Sequence, residues 1–226
     1  MTPGRTIPFY CDFISPYTWL ALMQSERFAE RQGIRWEMRP VVYAALLDAH
    51  GLVGPAETPA KRRYTFHDVV RCAAELGLGI SGPPEHPFRS LEALRTLYLF
   101  RSGPSAPRLA VRLADAAWGQ GRSLTDPVVL RDVVVSVGLD ASSLAERIAD
   151  PAVKNGLREM TEEAIAASVF GVPTFVHEGE LFWGHDRMDA LARRLSGATP
   201  APAGLGEKIL ARPRGADRKR TPTTKR

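Results

Sequence analysis

The sequence predicts an α/β fold in which a strand–helix–strand unit and a strand–strand–helix unit are separated by an all-helical insertion after the second strand. Three observations carry this. An aromatic-rich apolar run, Ile7 to Phe13, turns directly into a helix start at Ser15-Pro16. The segment Ile34 to Val42 alternates apolar and charged residues one helix length later, and strand patterns return only at Gly171. Between Tyr43 and Phe170 the periodic segments are helical, broken by Gly and Pro.

Each element has a local reason. The run from Thr6 to Phe13 suits a strand buried on both faces. Ser15 is a good N-cap, and Pro16 stands at the first helical position, where its missing N–H costs nothing. The first helix runs to Gln32, with Trp19, Leu20, Met23 and Phe28 near helical spacing and Gly33 as its stop. Strand, helix and second strand make a βαβ unit whose strands should be parallel. Helices are then expected over Ala44–His50, Ala60–Leu76, Phe88–Arg101, Pro107–Trp118, Pro127–Val137, Ser142–Ile148 and Pro151–Ser168. Loops fall at Gly51–Pro55 and Gly82–Pro87. Gly171–His177 and Leu181–Trp183 read as strands joined by a turn at Glu178-Gly179-Glu180. An amphipathic helix over Arg187–Leu195 closes the pattern, with Asp186 as its expected N-cap. The order amounts to a thioredoxin-like βαβ–ββα domain, residues 1–42 and 171–197, interrupted by a helical insertion subdomain, 43–170. Such topology does not by itself imply chemistry.

The 226 residues, 44% of them hydrophobic, suffice for one large domain or two small ones. Charge is uneven. Residues 198–226 hold Lys208, Arg212, Arg214, Arg218, Lys219, Arg220, Lys225 and Arg226 against Glu207 and Asp217, a formal +6, which leaves the remainder at −1. The basic character therefore belongs to a tail expected to be disordered, and says nothing about a basic active face. Nucleic-acid contact by that tail is a secondary reading; a solvated tail is favoured. Cys11 and Cys72 form no CxxC, and the five histidines show no metal-ligand spacing, so no metal is expected. The start lacks a secretory apolar core, and no stretch approaches the ~20 apolar residues of a membrane span, so a cytoplasmic protein without membrane contact is expected.

Three stretches carry candidate chemistry. A buried strand running into a capped helix places the Ser15 hydroxyl at the positive end of a helix dipole, a position that suits a thiolate or carboxylate. Ser-Pro ahead of a helix is more often a cap alone. In Val172-Pro173-Thr174, a proline opening a strand in this topology stands beside the first helix N-terminus; a cis bond there lets Val172 present its backbone to an extended peptide, while a trans bond makes Pro173 an ordinary strand opener. Gly184-His185-Asp186 offers helix N–H groups and a carboxylate, which can hold the carboxylate and ammonium of an amino-acid end.

These residues carry a resemblance. Phe9-Tyr10-Cys11-Asp12-Phe13-Ile14-Ser15-Pro16-Tyr17-Thr18-Trp19-Leu20-Ala21, Gly171-Val172-Pro173-Thr174 and Trp183-Gly184-His185-Asp186-Arg187-Met188 resemble the 2-hydroxychromene-2-carboxylate isomerases and the related kappa-class glutathione transferases. His86-Pro87-Phe88-Arg89-Ser90 and Ala117-Trp118-Gly119-Gln120-Gly121 resemble the isomerase branch. The resemblance spans about residues 6–195 and implies a homodimer that binds glutathione and a small aromatic substrate. Ser15 and Thr18 stand where the related disulfide oxidoreductases carry their CxxC, so thiol–disulfide exchange through that pair is excluded. Cys11 is read as a small core residue rather than a reactive thiol.

By the resemblance, Ser15 is catalytic and donates to the glutathione sulfur. Val172, before Pro173, pairs with the cysteinyl backbone, Lys61 approaches a carboxylate, and Asp186 beside His185 holds the γ-glutamyl ammonium. The implied activity is a glutathione-dependent isomerisation of 2-hydroxychromene-2-carboxylate, or of a similar conjugated aromatic acid, by reversible thiolate addition, with glutathione a cofactor that is not consumed. Glutathione transfer to an electrophile is the second reading, and a non-catalytic thiol-binding or acidic-partner-binding protein the third. Tyr17, Phe88 and Trp118 are the candidates to line the substrate pocket, with core packing as the alternative. Leu52 stands where the family often has an Asn that contacts the ligand, and His185 replaces an Asn or Ser; each lost polar contact weakens binding by about 1 kcal/mol.

Overall fold

The computed structural model describes residues 5–198 and 204–216. Strand β1 (Arg5–Cys11) runs through helix α1 (Pro16–Gln32) into β2 (Ile34–Pro40), and the two strands pair in parallel with Phe9 opposite Met38. Ser15 caps α1 by accepting the Thr18 N–H, and Gly33, at φ 61°, closes its end with N–H bonds to Ala29 and Glu30. That left-handed conformation is why a glycine ends this helix.

Helices α2 (Tyr43–Ala49), α3 (Pro59–Glu75), α4 (Leu91–Phe100), α5 (Ala106–Trp118), α6 (Pro127–Ser136), α7 (Leu144–Ala149) and α8 (Pro151–Ala166) then follow without an intervening strand. The expected loop at Gly51–Pro55 leads into a short 3-10 turn, Pro55–Glu57, in which the Glu57 carboxylate accepts the Gly54 N–H. Strands β3 (Thr174–His177) and β4 (Glu180–Trp183) return as an antiparallel hairpin, and β3 pairs antiparallel with β1. The sheet order is β2-β1-β3-β4, so β1 is internal and β4 is an edge. Helix α9 (Met188–Leu195) closes the unit.

The internal strand is buried on both faces, as its aromatic run requires. Ile7, Phe9 and Cys11 face the larger core, where Phe9 packs edge-on against Trp36 and Phe175 at 5.4 and 4.7 Å. Tyr10 faces a smaller cluster with Val41, Leu46, Ala164, Val169 and Val172. The larger core continues without a break into the helical block through Leu94, Leu97, Leu109, Leu113 and Trp118. The α4–α8 contact is tight: a Cβ added at Gly156 meets the Tyr98 hydroxyl at 1.9 Å. Gly156→Ala should therefore cost about 1–3 kcal/mol by overpacking, readable as a fall in Tm of about 2–4 °C per kcal/mol.

Three expectations are corrected. The helix expected from Phe88 begins at Leu91, with Ser90 as its N-cap; Pro87, which has no N–H to give, stands in the irregular stretch before it. Asp186 does not cap the last helix. Gly184, at φ 112°, turns the chain into a short 3-10 turn, His185–Arg187, so α9 starts one residue later, and the Asp186 carboxylate pairs with the Arg187 guanidinium at 2.9 Å. The tail expected to be disordered holds a helix, α10 (Leu205–Leu210), which starts after Gly204 at φ 73° with Glu207 in its first turn. Residues 204–216 are exposed throughout. The rest of that tail, 199–203 and 217–226, lies outside the described residues. Among the described residues no helix is long and apolar enough to cross a membrane.

Candidate active site

The site is built where β1 ends, α1 begins and β3 is entered. Asp12, fully buried, organises the turn: its carboxylate accepts the N–H of Ile14 at 3.1 Å and that of Tyr43 at 2.9 Å. Burial pushes the Asp12 carboxyl up from its ordinary value, against those hydrogen bonds and one from Ser90. Two side chains from the helical block hold the next carbonyls. The Trp118 indole N–H donates to Phe13 O at 2.9 Å, and the His86 ring reaches Ile14 O at 3.1 Å through Nε2. The carbonyl acceptor assigns that nitrogen the proton, which leaves His86 Nδ1 a buried acceptor without a partner among the described residues.

Ser15 comes next. Its Oγ accepts the Thr18 N–H at 3.3 Å and donates to Val172 O at 3.3 Å. The second bond is long for O–H···O, so the hydroxyl is weakly held there. Val172–Pro173 is cis. The Val172 N–H finds no acceptor among the described residues. The Thr18 hydroxyl, at the last position of the S-x-x-T stretch, is fully buried and also has no partner among the described residues. Cys11 is fully buried, and burial pushes its thiol far up, which suits a core residue and not a nucleophile.

A cleft of 390 Å³ is lined by Tyr17, two residues on from Ser15 in α1, and by Pro55, Ala60, Lys61, Tyr64 and Thr65. The Tyr17 phenol donates to Asp68 at 2.8 Å, and its ring stacks on His185 at 5.4 Å with 5° between planes. Burial raises the Tyr17 phenol, and the Asp68 carboxylate adds to this, so Tyr17 stays protonated. Burial acts to raise the Asp68 carboxyl, but the hydrogen bonds from Tyr17 and Arg71 outweigh it and hold it below its ordinary value. A larger hollow of 1370 Å³ between α4, α6 and α7 contains none of the residues singled out from the sequence.

The structure thus joins Ser15 to Val172 and Pro173, and joins Tyr17 to His185 and Lys61. It separates the other two pocket candidates from any open cleft. Trp118 is fully buried and Phe88 nearly so, with His86 wedged against both rings at 5.5 and 6.5 Å. Trp118 supports the Phe13–Ser15 turn through its indole N–H, and both rings sit in the core, the alternative to their expected place in the pocket wall. Asp186 is exposed beside Arg187. Asp68, His86 and Asp12 were not singled out from the sequence. A signal existed for Asp68: Lys61, Tyr64, Thr65 and Asp68 fall at i, i+3, i+4 and i+7 along α3, a single stripe.

Burial lowers both His86 and His185 below the ordinary histidine value, although the Ile14 carbonyl and the carboxylates of Asp186, Asp68 and Glu75 respectively oppose it. The unfolded chain takes up these protons near pH ~6.5 and the folded chain only lower, so this contribution is intact above that value and lost as pH falls through the folded ones. Thermal melts from pH ~7.5 to ~5 should show His86→Gln losing less Tm on acidification than wild type. Taking the difference between the two removes Asp12, whose raised carboxyl acts in the opposite sense.

Comparison with known proteins gives a consistent picture. A model of the DsbA-like thioredoxin domain matches residues 6–196. A 2-hydroxychromene-2-carboxylate isomerase of Sphingobium xenophagum is 32% identical over 83% of this chain and 96% of that protein. Human glutathione S-transferase kappa 1 is 29% identical over 84% of this chain and 91% of its own. A solved 2-hydroxychromene-2-carboxylate isomerase superposes with a TM-score of 0.79 at 24% identity, covering 92% of this chain and 100% of the other, which establishes the shared fold.

Proposed function

The chain belongs to the DsbA-like thioredoxin-domain family, with 2-hydroxychromene-2-carboxylate isomerases and kappa-class glutathione transferases among its relatives, and from that premise we propose that it is a glutathione-dependent isomerase of a conjugated aromatic acid such as 2-hydroxychromene-2-carboxylate. In this reading it works as a homodimer in the cytoplasm, in aromatic catabolism. The observation that carries it is the Ser15 hydroxyl at the N-terminus of α1, set against the cis Val172–Pro173 peptide.

The residues fit glutathione. Val172 has a backbone N–H without an acceptor among the described residues, matching a peptide-like ligand that pairs as an added strand. Lys61 lines the open cleft, where an ammonium can meet a carboxylate. His185, stacked on Tyr17, and Asp186 border the amino-acid end. When bound, glutathione supplies a thiolate nucleophile that adds reversibly to a conjugated carbon. The chain's own part is to keep that sulfur ionised. The Thr18 N–H holds the Ser15 oxygen from behind, so the hydroxyl proton is free to turn from Val172 O toward the sulfur. A hydrogen bond to a charged acceptor contributes about 1.5–3 kcal/mol and the helix dipole about 0.3–1 kcal/mol more. At 1.36 kcal/mol per pH unit, about 2 kcal/mol brings an ordinary thiol from ~8.5 to near 7.

Calorimetric titration with glutathione tests this: the wild type should bind, and Lys61→Ala should weaken binding about tenfold by removing a charge partner. No binding by the wild type sinks the proposal. The similar identities to an isomerase and to a kappa transferase, 32% and 29%, support glutathione transfer as the second reading. Product analysis separates the two, since an isomerase leaves the thiol free and a transferase forms a thioether.

A further inference from the structure

The rim beside the Ser15–Val172 junction is aromatic and exposed. Trp183, at the end of edge strand β4, is 52% exposed, and Phe170, 36% exposed, meets it edge-on at 4.9 Å. The other three tryptophans, Trp19, Trp36 and Trp118, are buried. The backbone is shaped to the exposed indole. A Cβ on Gly171 would stand 2.6 Å from Trp183 Nε1, so a residue without a side chain is needed where the ring crosses the chain. Gly171 directly precedes Val172, whose carbonyl meets Ser15. On the other side Gly184, directly after Trp183, donates its N–H to Pro173 O at 2.9 Å. The indole therefore lies on the residue before the cis dipeptide, and the backbone that follows it is tied to Pro173. The His50 ring contacts Val169 O at 3.1 Å, which fastens the loop carrying exposed Leu52 and Val53 to the same segment.

We propose that Trp183, braced by Phe170 and seated on Gly171, is an aryl-stacking subsite that receives the aromatic ring of a conjugated acid at the edge of the Ser15 site. The assignment rests on Ser15 being the reacting centre. It replaces Trp118 and Phe88, whose rings are enclosed in the core, with a flat face that a planar ligand can reach. A planar aryl group stacks on an indole face, whereas a flexible aliphatic acid gains only contact area.

The aromatic-acid arm of the test is run without glutathione. With trans-cinnamate as the probe, wild-type indole emission should quench saturably, because one of the four tryptophans is exposed. Cinnamate affinity, followed by calorimetry, should fall about tenfold in Trp183→Ala and stay within about threefold of wild type in Trp183→Phe, which keeps a ring. Sorbate, a conjugated aliphatic acid, should bind wild type about tenfold more weakly than cinnamate. Glutathione binding should be the same in Trp183→Ala as in wild type. Equal cinnamate affinity in wild type and Trp183→Ala overturns the subsite, as does equal affinity for cinnamate and sorbate, or loss of glutathione binding together with cinnamate binding in Trp183→Ala. Failure of the wild type to bind glutathione sinks the Ser15 reading instead, and the cinnamate series still decides the subsite.

Discussion

Ser15→Ala should raise the thiol pKa of bound glutathione by between about one and two pH units and slow turnover at pH 7 by about 10- to 10²-fold. The hydroxyl contributes a bond to the ionised sulfur and nothing comparable to the neutral thiol, so its loss falls on the charged form. Turnover in the variant should therefore recover as pH rises past the new value, while wild type levels off earlier. A binding residue with no part in ionisation gives parallel profiles instead, and that result would remove Ser15 from the chemistry. The structural cost of the substitution is separable. Ser15 also caps α1 through the Thr18 N–H, so the variant should lose about 1 kcal/mol of stability. With Tm falling about 2–4 °C per kcal/mol, the protein remains folded and the pH profile interpretable. Thiolate absorbance of the glutathione-loaded protein reads the pKa directly.

What could be read from the chain differs by the range of the forces involved. The β1–α1 junction, the S-x-x-T stretch and Val172-Pro173 were legible because caps, prolines and buried apolar runs act within a few residues. The same local logic failed at Asp186. A carboxylate ahead of a helix is an N-cap by rule, but Gly184 at φ 112° inserts a turn, and the charge of Arg187 next door claims the side chain. Whether an aromatic lines a pocket or fills a core depends on partners the fold brings together, such as Phe13, 105 residues from Trp118. Trp118 and Phe88 share composition and spacing with pocket aromatics, and only the fold shows Phe88 packed on His86 and Trp118 on His86 and Phe13. Trp183 shows the converse: a strand-end tryptophan looks like core material, yet it ends an edge strand whose outer side nothing in the described chain covers. Asp68 needed both levels, a helical stripe visible along α3 and the tertiary approach of Tyr17 that gives it meaning.

Trp118→Ala should be the most destabilising of these changes, at about 3–5 kcal/mol, a large share of the 5–15 kcal/mol that holds a typical domain folded. The indole is fully buried in the core that joins sheet and helical block, so the deletion opens a cavity that rigid neighbours fill only in part. Trp118→Phe separates packing from hydrogen bonding. It keeps most of the ring but leaves Phe13 O without its donor, which should cost about 1–3 kcal/mol. Phe13 is two residues from Ser15, and the Trp118 carbonyl itself accepts the N–H groups of Ser81 and Gly82, at the start of the loop that brings His86 to Ile14. The Phe variant should therefore lower kcat severalfold, by loosening the turn that aims the hydroxyl, with KM for the aromatic acid unchanged within about twofold. A tenfold rise in KM with kcat retained would return Trp118 to the pocket wall. Chemical denaturation and steady-state kinetics on the two variants give both numbers, and they are expected to move in different proportions because one reads the buried ring and the other the turn that carries Ser15.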